Sequence, residues 1–284
     1  GIYRQVVISK TDQSKVSTEE LNNAWERSEE QLDQGKTIGI QAFSFYDDGY
    51  PARLRVIPDP PAVLFVKGKV DGLYATKSIA VVGTREPTSY GEKVAYKLAQ
   101  TAAEAGFVVV SGLAKGCDAH GHEGCLNGHG AGVGVLAHGL DSVYPASSRD
   151  LAGRLLDGGG CLVSEYPIDV RPIRAAFAER DRIQSGLSNG VLVIETAEKG
   201  GTMHTVRFSR DQGKPLACID HPEKWLSEEM TRGNQMLLKE KWATPIPDGE
   251  ALAQFLDSIS QIPPGKEEGG GKAKPGEQQR SWSF

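Results

Sequence analysis

The chain has 284 residues and a net charge of −5 at pH 7, with 39% hydrophobic and 24% charged residues. This length accommodates one sizeable α/β domain with appendages or two small domains. No apolar run approaches the roughly 20 residues of a membrane-spanning helix, and no signal-peptide pattern opens the chain. The acidic balance gives no sign of a protein that coats nucleic acid by bulk charge, although a local basic groove is compatible with it. The four cysteines lack the paired spacing of a disulfide framework, so we expect a reducing, cytoplasmic setting.

The first predicted helix follows a capping signal. In the segment STEELNNAWERSEEQL, Ser17 and Glu20 have the spacing of a capping box, which predicts a helix from Ser17 to Leu32. Prolines in the following lead-in forbid a long helix there. The lead-in therefore predicts a short helix between Pro51 and Val56, and a strand at Val63–Val66 that docks on the edge of a sheet.

The stretch SIAVVGTR, Ser78–Arg85, is the most informative part of the chain. Five residues suited to a strand buried on both faces lead into Gly83, and an amphipathic helix begins near Ser89. A strand, a glycine turn and a helix start direct free backbone N–H groups and the positive end of the helix dipole to one place, which favours a phosphate. Arg85 adds a positive charge beside it.

Further strand-like segments follow at Phe107–Ser111, Gly132–Ala137, Cys161–Ser164, Val191–Glu195 and Pro215–Ile219. The first four are each followed by glycine or polar residues and then by a stretch compatible with a helix. This alternation predicts an α/β fold with a doubly wound, mostly parallel sheet. Ligands of such sheets bind at the carboxyl ends of the strands.

The two ends of the chain differ from this central region. Residues 1–9 are compatible with a short strand. Residues 223–246 hold at least one helix, and a final amphipathic helix is expected around Glu250–Ile259. From Pro263 onward the chain is rich in Gly, Pro, Lys and Glu, which predicts disorder. The predicted organisation is an N-terminal helical segment (1–36), a lead-in docked on the sheet (37–75), a Rossmann-like domain (76–262) and a disordered tail (263–284).

The residues after the predicted strands resemble the DNA processing protein A family, also called DprA or Smf. The segments that carry the resemblance are, in order, GTREPTSYG, SGLAKGCDAHGH, LAHGLDSVYP, SEYP, FAERDRIQSGLS and EKGGTMHTVRFSRDQGK. The likeness extends from YPARLRVIPDPPAVLFVKG to GNQMLL. It implies an extended Rossmann-like domain that binds single-stranded DNA and helps to load a RecA-type recombinase during natural transformation. A homodimer without a cofactor, a metal or a membrane partner is expected.

The resemblance also implies which residues contact DNA. The family's GSR or GTR turn falls on Gly83–Arg85, and its SGLARGID segment falls on Ser111–Asp118, with Lys115 in place of Arg. Its R-N-R-I segment falls on Arg180–Ile183, and its SGS-x-x-T segment on Gly200–Thr205. The expected DNA- or phosphate-binding residues are Gly83, Thr84, Arg85, Ser111, Gly112, Lys115, Gly116, Asp118, Arg180, Arg182, Gly201, Thr202 and Thr205.

The residue types support these assignments. Phosphates of a single strand are held by cations and by backbone N–H groups at helix starts, while its bases stack on side chains or enter pockets. Arg85, Lys115, Arg180 and Arg182 follow different strands, and a parallel sheet is expected to bring them to one rim. Gly201–Thr202 opens a helix whose free N–H groups suit another phosphate.

Two positions depart from the family pattern. Asp181 stands where the family has Asn, and its negative charge between two arginines should weaken binding to a polyanion. Gly200 stands in place of Ser, which removes one hydrogen-bond donor. The triplet is also compatible with Arg180 and Arg182 pairing with Glu179 and Asp181 on a solvated helix face.

A zinc site is the first alternative that the sequence raises. Cys117, His120, His122 and Cys125 lie within nine residues. On one helix, however, His122 and Cys125 share a face that Cys117 and His120 largely do not, and structural zinc sites usually combine two separated ligand pairs. We expect no metal there, and the resemblance instead gives Asp118 and His122 a hydrogen-bonding role in the pocket.

An enzyme and a sensor are the remaining alternatives. The fold is shared with phosphoribohydrolases similar to lysine decarboxylase, whose loop reads PGGxGTxxE. Gly201–Thr202 matches the GT, but Thr205 occupies the position of the Glu and cannot act as a base at neutral pH. Glu165 and Glu195, which end strands, could substitute for it. A sensor domain that binds a small nucleotide in the same pocket is also compatible, whereas the absence of GxGxxG and Walker A patterns argues against a dinucleotide cofactor.

Overall fold

The computed structural model of the chain describes residues 17–263, so the expected strand at 1–9 and the tail from 264 onward lie outside the described residues. One nine-stranded sheet organises these residues. Its strands are β1 (Ile40–Ser44), β2 (Val63–Gly68), β3 (Ser78–Val82), β4 (Val108–Ser111), β5 (Gly132–Val135), β6 (Cys161–Ser164), β7 (Gly190–Val193), β8 (Leu216–Ile219) and β9 (Thr244–Ile246). The helices are α1 (Thr18–Thr37), α2 (Ala52–Arg55), α3 (Ser89–Glu104), α4 (Cys117–Asn127), α5 (Arg149–Asp157), α6 (Arg174–Gly186), α7 (Thr202–Asp211), α8 (Arg232–Lys239) and α9 (Gly249–Ser260).

The order of the strands creates a switch point in the middle of the sheet. The order is β1-β2-β6-β5-β4-β3-β7-β8-β9. Strands β3 to β9 pair in parallel, whereas β2 pairs antiparallel with β6 and with β1. The chain builds the sheet outward from β3 to β6 and then returns to place β7 beside β3. Crevices of doubly wound sheets open at such a reversal, outside the carboxyl ends of the strands.

The sheet is buried on both faces, as the apolar strands predict. All five residues of β3 are buried. Its Ile79 and Val81 pack with residues of α3, α4 and α9, whereas Ala80 and Val82 pack with α7 and α8. Helix α5 extends the first layer and helices α2 and α6 extend the second. Complete burial of a single large aliphatic side chain contributes about 1.5–3 kcal/mol, so this two-sided cover stabilises the position of each strand end.

The expected fold class is therefore confirmed, with two additions at the edges of the sheet. Ser17 and Glu20 form the predicted capping box, and the helix continues five residues beyond Leu32 to Thr37. The short helix and the strand of the lead-in are present as α2 and β2, but β1 pairs with β2 and lies at the edge of the sheet instead. Strands β1 and β9 were not predicted from the sequence. The first is a five-residue edge strand, and the second has only three residues, one of which is a proline.

The cysteines of the chain are buried and unpaired. Burial raises the pKa of the thiols of Cys125, Cys161 and Cys218 to about 12, so these thiols are neutral at physiological pH and pack as small apolar groups.

Between residues 17 and 263, no helix combines the length and the apolar character needed to cross a membrane.

Candidate nucleic-acid interface

An open cleft of about 830 Å³ lies at the switch point of the sheet. One wall is the turn after β3, which includes Gly83, Thr84 and Arg85. The opposite wall is the segment from Thr196 into the first turn of α7, and one side of α6 closes the space between them. The cleft thus joins segments that lie more than 100 residues apart in the sequence, as the topology of the sheet requires.

The turn after β3 is held in place by Glu195, the residue that closely follows β7. The backbone N–H of Thr84 donates to the carbonyl oxygen of Glu195 at 2.8 Å. The N–H and hydroxyl of Thr88 donate to the Glu195 carboxylate at 2.8 and 2.6 Å. Gly83 is required at the start of this turn because a Cβ there would lie 2.5 Å from the sulfur of Cys117. The buried carboxylate therefore fixes the turn that carries Arg85.

These bonds alter the expected role of the α3 N-terminus. The Thr88 hydroxyl accepts the N–H of Gly91 and caps the helix, while Glu195 occupies the N–H of Thr88. A carboxylate already sits where the sequence suggested a phosphate. By contrast, the N-cap of α7 is Gly201, which provides no side-chain hydrogen bond and at which a Cβ would meet no atom within 4 Å. The start of α7 is therefore the more open helix N-terminus of the cleft.

Three charged side chains form the bottom of the cleft, here called the floor: Asp118, Arg180 and Asp181. All three are buried. Nε of Arg180 lies 3.2 Å from Oδ1 of Asp181, and its guanidinium also donates to the carbonyl oxygen of Val135. The Asp118 carboxylate accepts the backbone N–H groups of Gly112 and Ala114 at 3.2 and 3.4 Å. The floor thus contains one guanidinium and two carboxyl groups. It therefore has no net positive charge with which to attract a phosphate.

Burial raises the pKa of both carboxyl groups of the floor. The pKa of Asp181 rises to about 7 because the group is desolvated, although Arg180 and a hydrogen bond from Thr205 act in the opposite direction. Burial likewise raises the pKa of Asp118, opposed by Arg180. The charge of the floor therefore depends on pH near neutrality.

Exposed cations surround the opening of the cleft, and we call Arg85, Arg174 and Lys199 the rim. Each lines the cleft and is exposed. The guanidinium of Arg85 lies over the ring of Phe177, 5.2 Å from its centroid. Tyr144, which is 49% exposed, lies beside the same ring at a centroid distance of 5.9 Å. The rim thus lies beside aromatic surface, and cations with aromatic rings are the combination that binds a single strand without reading its sequence.

The structure brings most, but not all, of the predicted residues to the cleft. Gly83, Thr84, Arg85, Asp118, Arg180, Gly201, Thr202 and Thr205 line it. Thr205 is 1% exposed and serves Asp181, so its hydroxyl supports the floor. Gly116 lies against the carbonyl oxygens of Thr84 and Arg85 with a φ of +75°, a conformation that glycine adopts most readily. Lys115 is exposed on the same loop, beside the cleft but outside its lining.

Arg182 does not lie at the rim where the sequence placed it. Its guanidinium forms two bonds of 2.6 Å to the carboxylate of Glu165 and donates to the carbonyl oxygen of Asp59. Residues two apart on a helix point in nearly opposite directions, so Arg180 and Arg182 cannot reach the same cleft. The alternative of a solvated face is wrong for both arginines, because each is buried. Ser111 is also buried, and its hydroxyl donates to the carbonyl oxygen of Val81 at 2.6 Å.

Besides Asp181, six cleft residues that carry charge or aromatic surface were not predicted: Glu86, Tyr144, Arg174, Phe177, Lys199 and His204. Three of them had a usable signal. Arg174 and Phe177 are three apart at the start of a helix that also carries Arg180, so the three share one face. Lys199 directly precedes the glycine pair that opens α7. Tyr144 reaches the cleft from the segment LAHGLDSVYP after β5, in which no contact residue was predicted.

The comparison with protein families decides what kind of protein this is. Residues 41–257 match the model of the family described as DNA recombination-mediator protein A. The chain belongs to this family. The match spans the sheet from β1 almost to the end of α9, and it includes every residue of the floor and the rim.

Relatives of the recombination-mediator protein A family resemble the chain over most of its length. The chain is 40% identical to Protein Smf of Escherichia coli K12 over 173 aligned residues. The aligned part covers 61% of this chain and 46% of that protein. The chain is 38% identical over 181 residues to DNA processing protein DprA of Bacillus subtilis, which is 64% of this chain and 61% of that protein. The chain thus spans about half the length of the curated relatives that it matches.

Two solved structures of the family have the same architecture. DNA processing protein A from Streptococcus pneumoniae superposes with a TM-score of 0.77 at 28% identity, covering 89% of this chain and 86% of that one. DNA processing protein A from Helicobacter pylori superposes with a TM-score of 0.68 at 26% identity, covering 78% of this chain and 95% of that one. The Helicobacter pylori structure is described for its unique single-stranded DNA binding mode.

Proposed function

We propose that the chain binds single-stranded DNA in the cleft at the switch point of its sheet. The observation that carries the proposal is the rim: three exposed cations around a cleft with an aromatic pair at its edge. Family membership and the single-stranded DNA binding described for the Helicobacter pylori protein support it. The proposal is one of binding and assigns no catalytic residue.

The rim and the floor have different tasks in this proposal. Arg85, Arg174 and Lys199 contact phosphates because they are exposed and carry no carboxylate partner within the described part of the chain that would fix them elsewhere. The start of α7 supplies N–H groups to a further phosphate. Phe177 and Tyr144 stack with bases, which every base permits because each has a π-face.

Fluorescence anisotropy with labelled oligothymidylate tests the proposal. The unaltered chain is expected to bind with an affinity that falls as salt rises. Arg85→Gln and Arg174→Gln together are expected to weaken binding at least tenfold and to reduce the slope of log K against log salt by about 1.4, or 0.7 for each phosphate lost. The matched control Lys69→Gln/Lys97→Gln removes two exposed lysines far from the cleft and is expected to leave binding unchanged.

Other outcomes would contradict this function. Complete competition by mononucleotides at low concentration would favour a nucleotide sensor. Release of a free base from a nucleoside monophosphate would favour the phosphoribohydrolase-like alternative. Equal effects of the rim variant and its control would show that the cleft is not the binding site.

The finer role that we propose is delivery of the bound strand to a RecA-type recombinase in cytoplasmic DNA processing or recombination, as in natural transformation, by a homodimer. This role rests on membership of the recombination-mediator family. Light scattering of the purified chain would test the dimer. A RecA-type filament assay on strands coated with single-strand-binding protein would test the loading, and an unchanged assembly rate would contradict it.

A further inference from the structure

A second groove lies at the opposite end of α7 from the cleft. It has a volume of about 750 Å³ and opens between α7, α8, strand β8 and the edge strand β9. Its lining residues include Arg210, Lys214, Asp220, Lys241 and Trp242. We refer to it as the Trp242 groove.

The Trp242 groove presents two exposed cations and an indole. The guanidinium of Arg210 lies 3.8 Å from the centroid of the Trp242 ring, and Trp242 is 37% exposed. Lys241 is exposed beside it. Lys214 is less available because its amine donates to the carbonyl oxygen of Ser188. Among the lining residues in the described part of the chain, Asp220 is the one carboxylate, so the groove favours an anion.

Helix α7 connects the two sites directly. Its first residue, Thr202, lines the cleft, and Arg210 near its last turn lines the Trp242 groove. A ten-residue helix is about 15 Å long, so the two sites lie a short distance apart along one surface. His204, Arg207 and Arg210 follow each other at intervals of three, which places them in one stripe on the helix. His204 is half-buried in the cleft, whereas Arg207 and Arg210 are exposed.

We propose that a single strand held in the cleft continues along this stripe of α7 and that its next segment binds in the Trp242 groove. The inference rests on the proposed function and extends it by a second contact site on the same strand. Arg207 and Arg210 contact successive phosphates, and Lys241 contacts a phosphate at the far end. The exposed part of the Trp242 indole offers a surface to a base.

A polyanion with repeated phosphates fits this surface better than an acidic peptide does. The cations do not form a single cluster but follow a line that starts in the cleft, which suits a ligand whose charges repeat along its length. The indole is positioned at the end of that line, next to cations, as in surfaces that bind bases and phosphates alternately.

The length of the oligonucleotide provides the test. An oligothymidylate of about 5 nucleotides fills the cleft alone, whereas one of about 20 nucleotides also reaches the groove. The variant Arg210→Gln/Lys241→Gln removes two exposed charges far from the buried core. We expect it to weaken binding of the long oligonucleotide about tenfold and to lower its salt slope by about 1.4. Its affinity for the short oligonucleotide is expected to stay within about twofold of the parent chain.

The matched control Lys69→Gln/Lys97→Gln carries the same loss of charge at other exposed positions and is expected to bind both oligonucleotides as the parent does. Parent-like binding of the long oligonucleotide by Arg210→Gln/Lys241→Gln overturns the inference and leaves the cleft proposal intact. Equal weakening for both lengths also overturns it, because the effect would then not come from an extended strand. If the parent chain binds neither oligonucleotide, the proposed function fails as well.

Discussion

Nε of Arg180 lies 3.2 Å from Oδ1 of Asp181 at the floor of the cleft, and both side chains are buried. The Asp181 carboxylate also accepts hydrogen bonds from the Gln184 amide, at 2.9 Å, and from the hydroxyl of Thr205. Asp118 approaches Arg180 from α4. The positive charge of the Arg180 guanidinium is thus offset by two carboxyl groups in the free protein. Removing the charge of one of them should therefore change the affinity for a polyanion.

Replacing Asp181 by Asn is expected to raise affinity for single-stranded DNA by about three- to tenfold at about pH 8, because it removes a negative charge near the phosphates. In the parent chain the pKa of Asp181 is raised from 3.8 to about 7, so the group is mostly protonated at about pH 6 and mostly ionised at about pH 8. Affinity is therefore expected to fall as pH rises across this range, and to fall less in Asp181→Asn. Anisotropy titrations at several pH values measure both effects.

His204→Asn is the control for the Asp181 experiment, because it changes another polar side chain that lines the cleft. A pH dependence that disappears in His204→Asn and persists in Asp181→Asn would assign the effect to the histidine.

Variants of Phe177 distinguish the contribution of base stacking to DNA affinity from that of charge. Phe177→Ala is expected to weaken oligothymidylate binding by about 1–3 kcal/mol, since it removes the aromatic surface beside Tyr144 and Arg85. The salt dependence should stay close to that of the parent, because no charge is lost. Phe177→Tyr retains an aromatic ring and should bind nearly as the parent does. A lowered salt slope in Phe177→Ala would show that the ring acts only by positioning Arg85.

Arg182 is expected to contribute to the stability of the fold and not to the affinity for DNA. Arg182→Met leaves the half-buried Glu165 carboxylate without its guanidinium, at a cost of about 3–5 kcal/mol in the free energy of unfolding. The DNA affinity of the folded fraction should be unchanged. Urea denaturation measures the first effect and anisotropy the second. The double variant Arg182→Met/Glu165→Met should recover most of the stability, and failure to recover would contradict a pairwise origin.

Thr88 tests the anchoring of the turn after β3. Thr88→Val removes both the N-terminal cap of α3 and the hydroxyl donor to Glu195, and should lower the free energy of unfolding by about 1–2 kcal/mol. Thr88→Ser keeps the hydroxyl and should stay within about 0.5 kcal/mol of the parent. Parent-like stability of Thr88→Val, measured by urea denaturation, would contradict this role of the hydroxyl.

His122 is expected to make stability depend on acid pH. Its ring is buried, and this burial lowers its pKa from 6.5 to about 4. The unfolded chain therefore binds one more proton than the folded chain between about pH 4 and 6.5, so stability falls as pH falls through this window. The loss reaches roughly 3 kcal/mol at the acid end. Asp118 and Asp181 contribute with the opposite sign, so the comparison is with His122→Leu, whose stability should depend less on acid pH.

The fold was predictable because its signals are local and repeated. β3 to β8 are apolar runs followed by turns, and the capping box of α1 requires two residues three apart. β9 could not be found in the same way. Its sequence TPI is short and contains proline, and only its pairing with β8 makes it a strand.

The candidate site was only partly predictable, and the reason is the direction of side chains. The sequence shows that Arg180 and Arg182 are near a strand end, but the helix carries one into the cleft and the other toward Glu165. It likewise cannot show that the cations at the rim are exposed while Arg180 is enclosed. Lys199 and Arg174 have recognisable positions in the sequence, but only the folded chain shows that both line one cleft.

Gly112, which follows β4, leaves space for two charged side chains of the floor because it has no side chain of its own. A methyl group at this position would overlap the guanidinium of Arg180 and crowd the carboxylate of Asp118. Any larger residue would therefore have to displace the guanidinium of Arg180 from its place beside Asp118. A single missing carbon thus leaves the space in which this arginine stays enclosed.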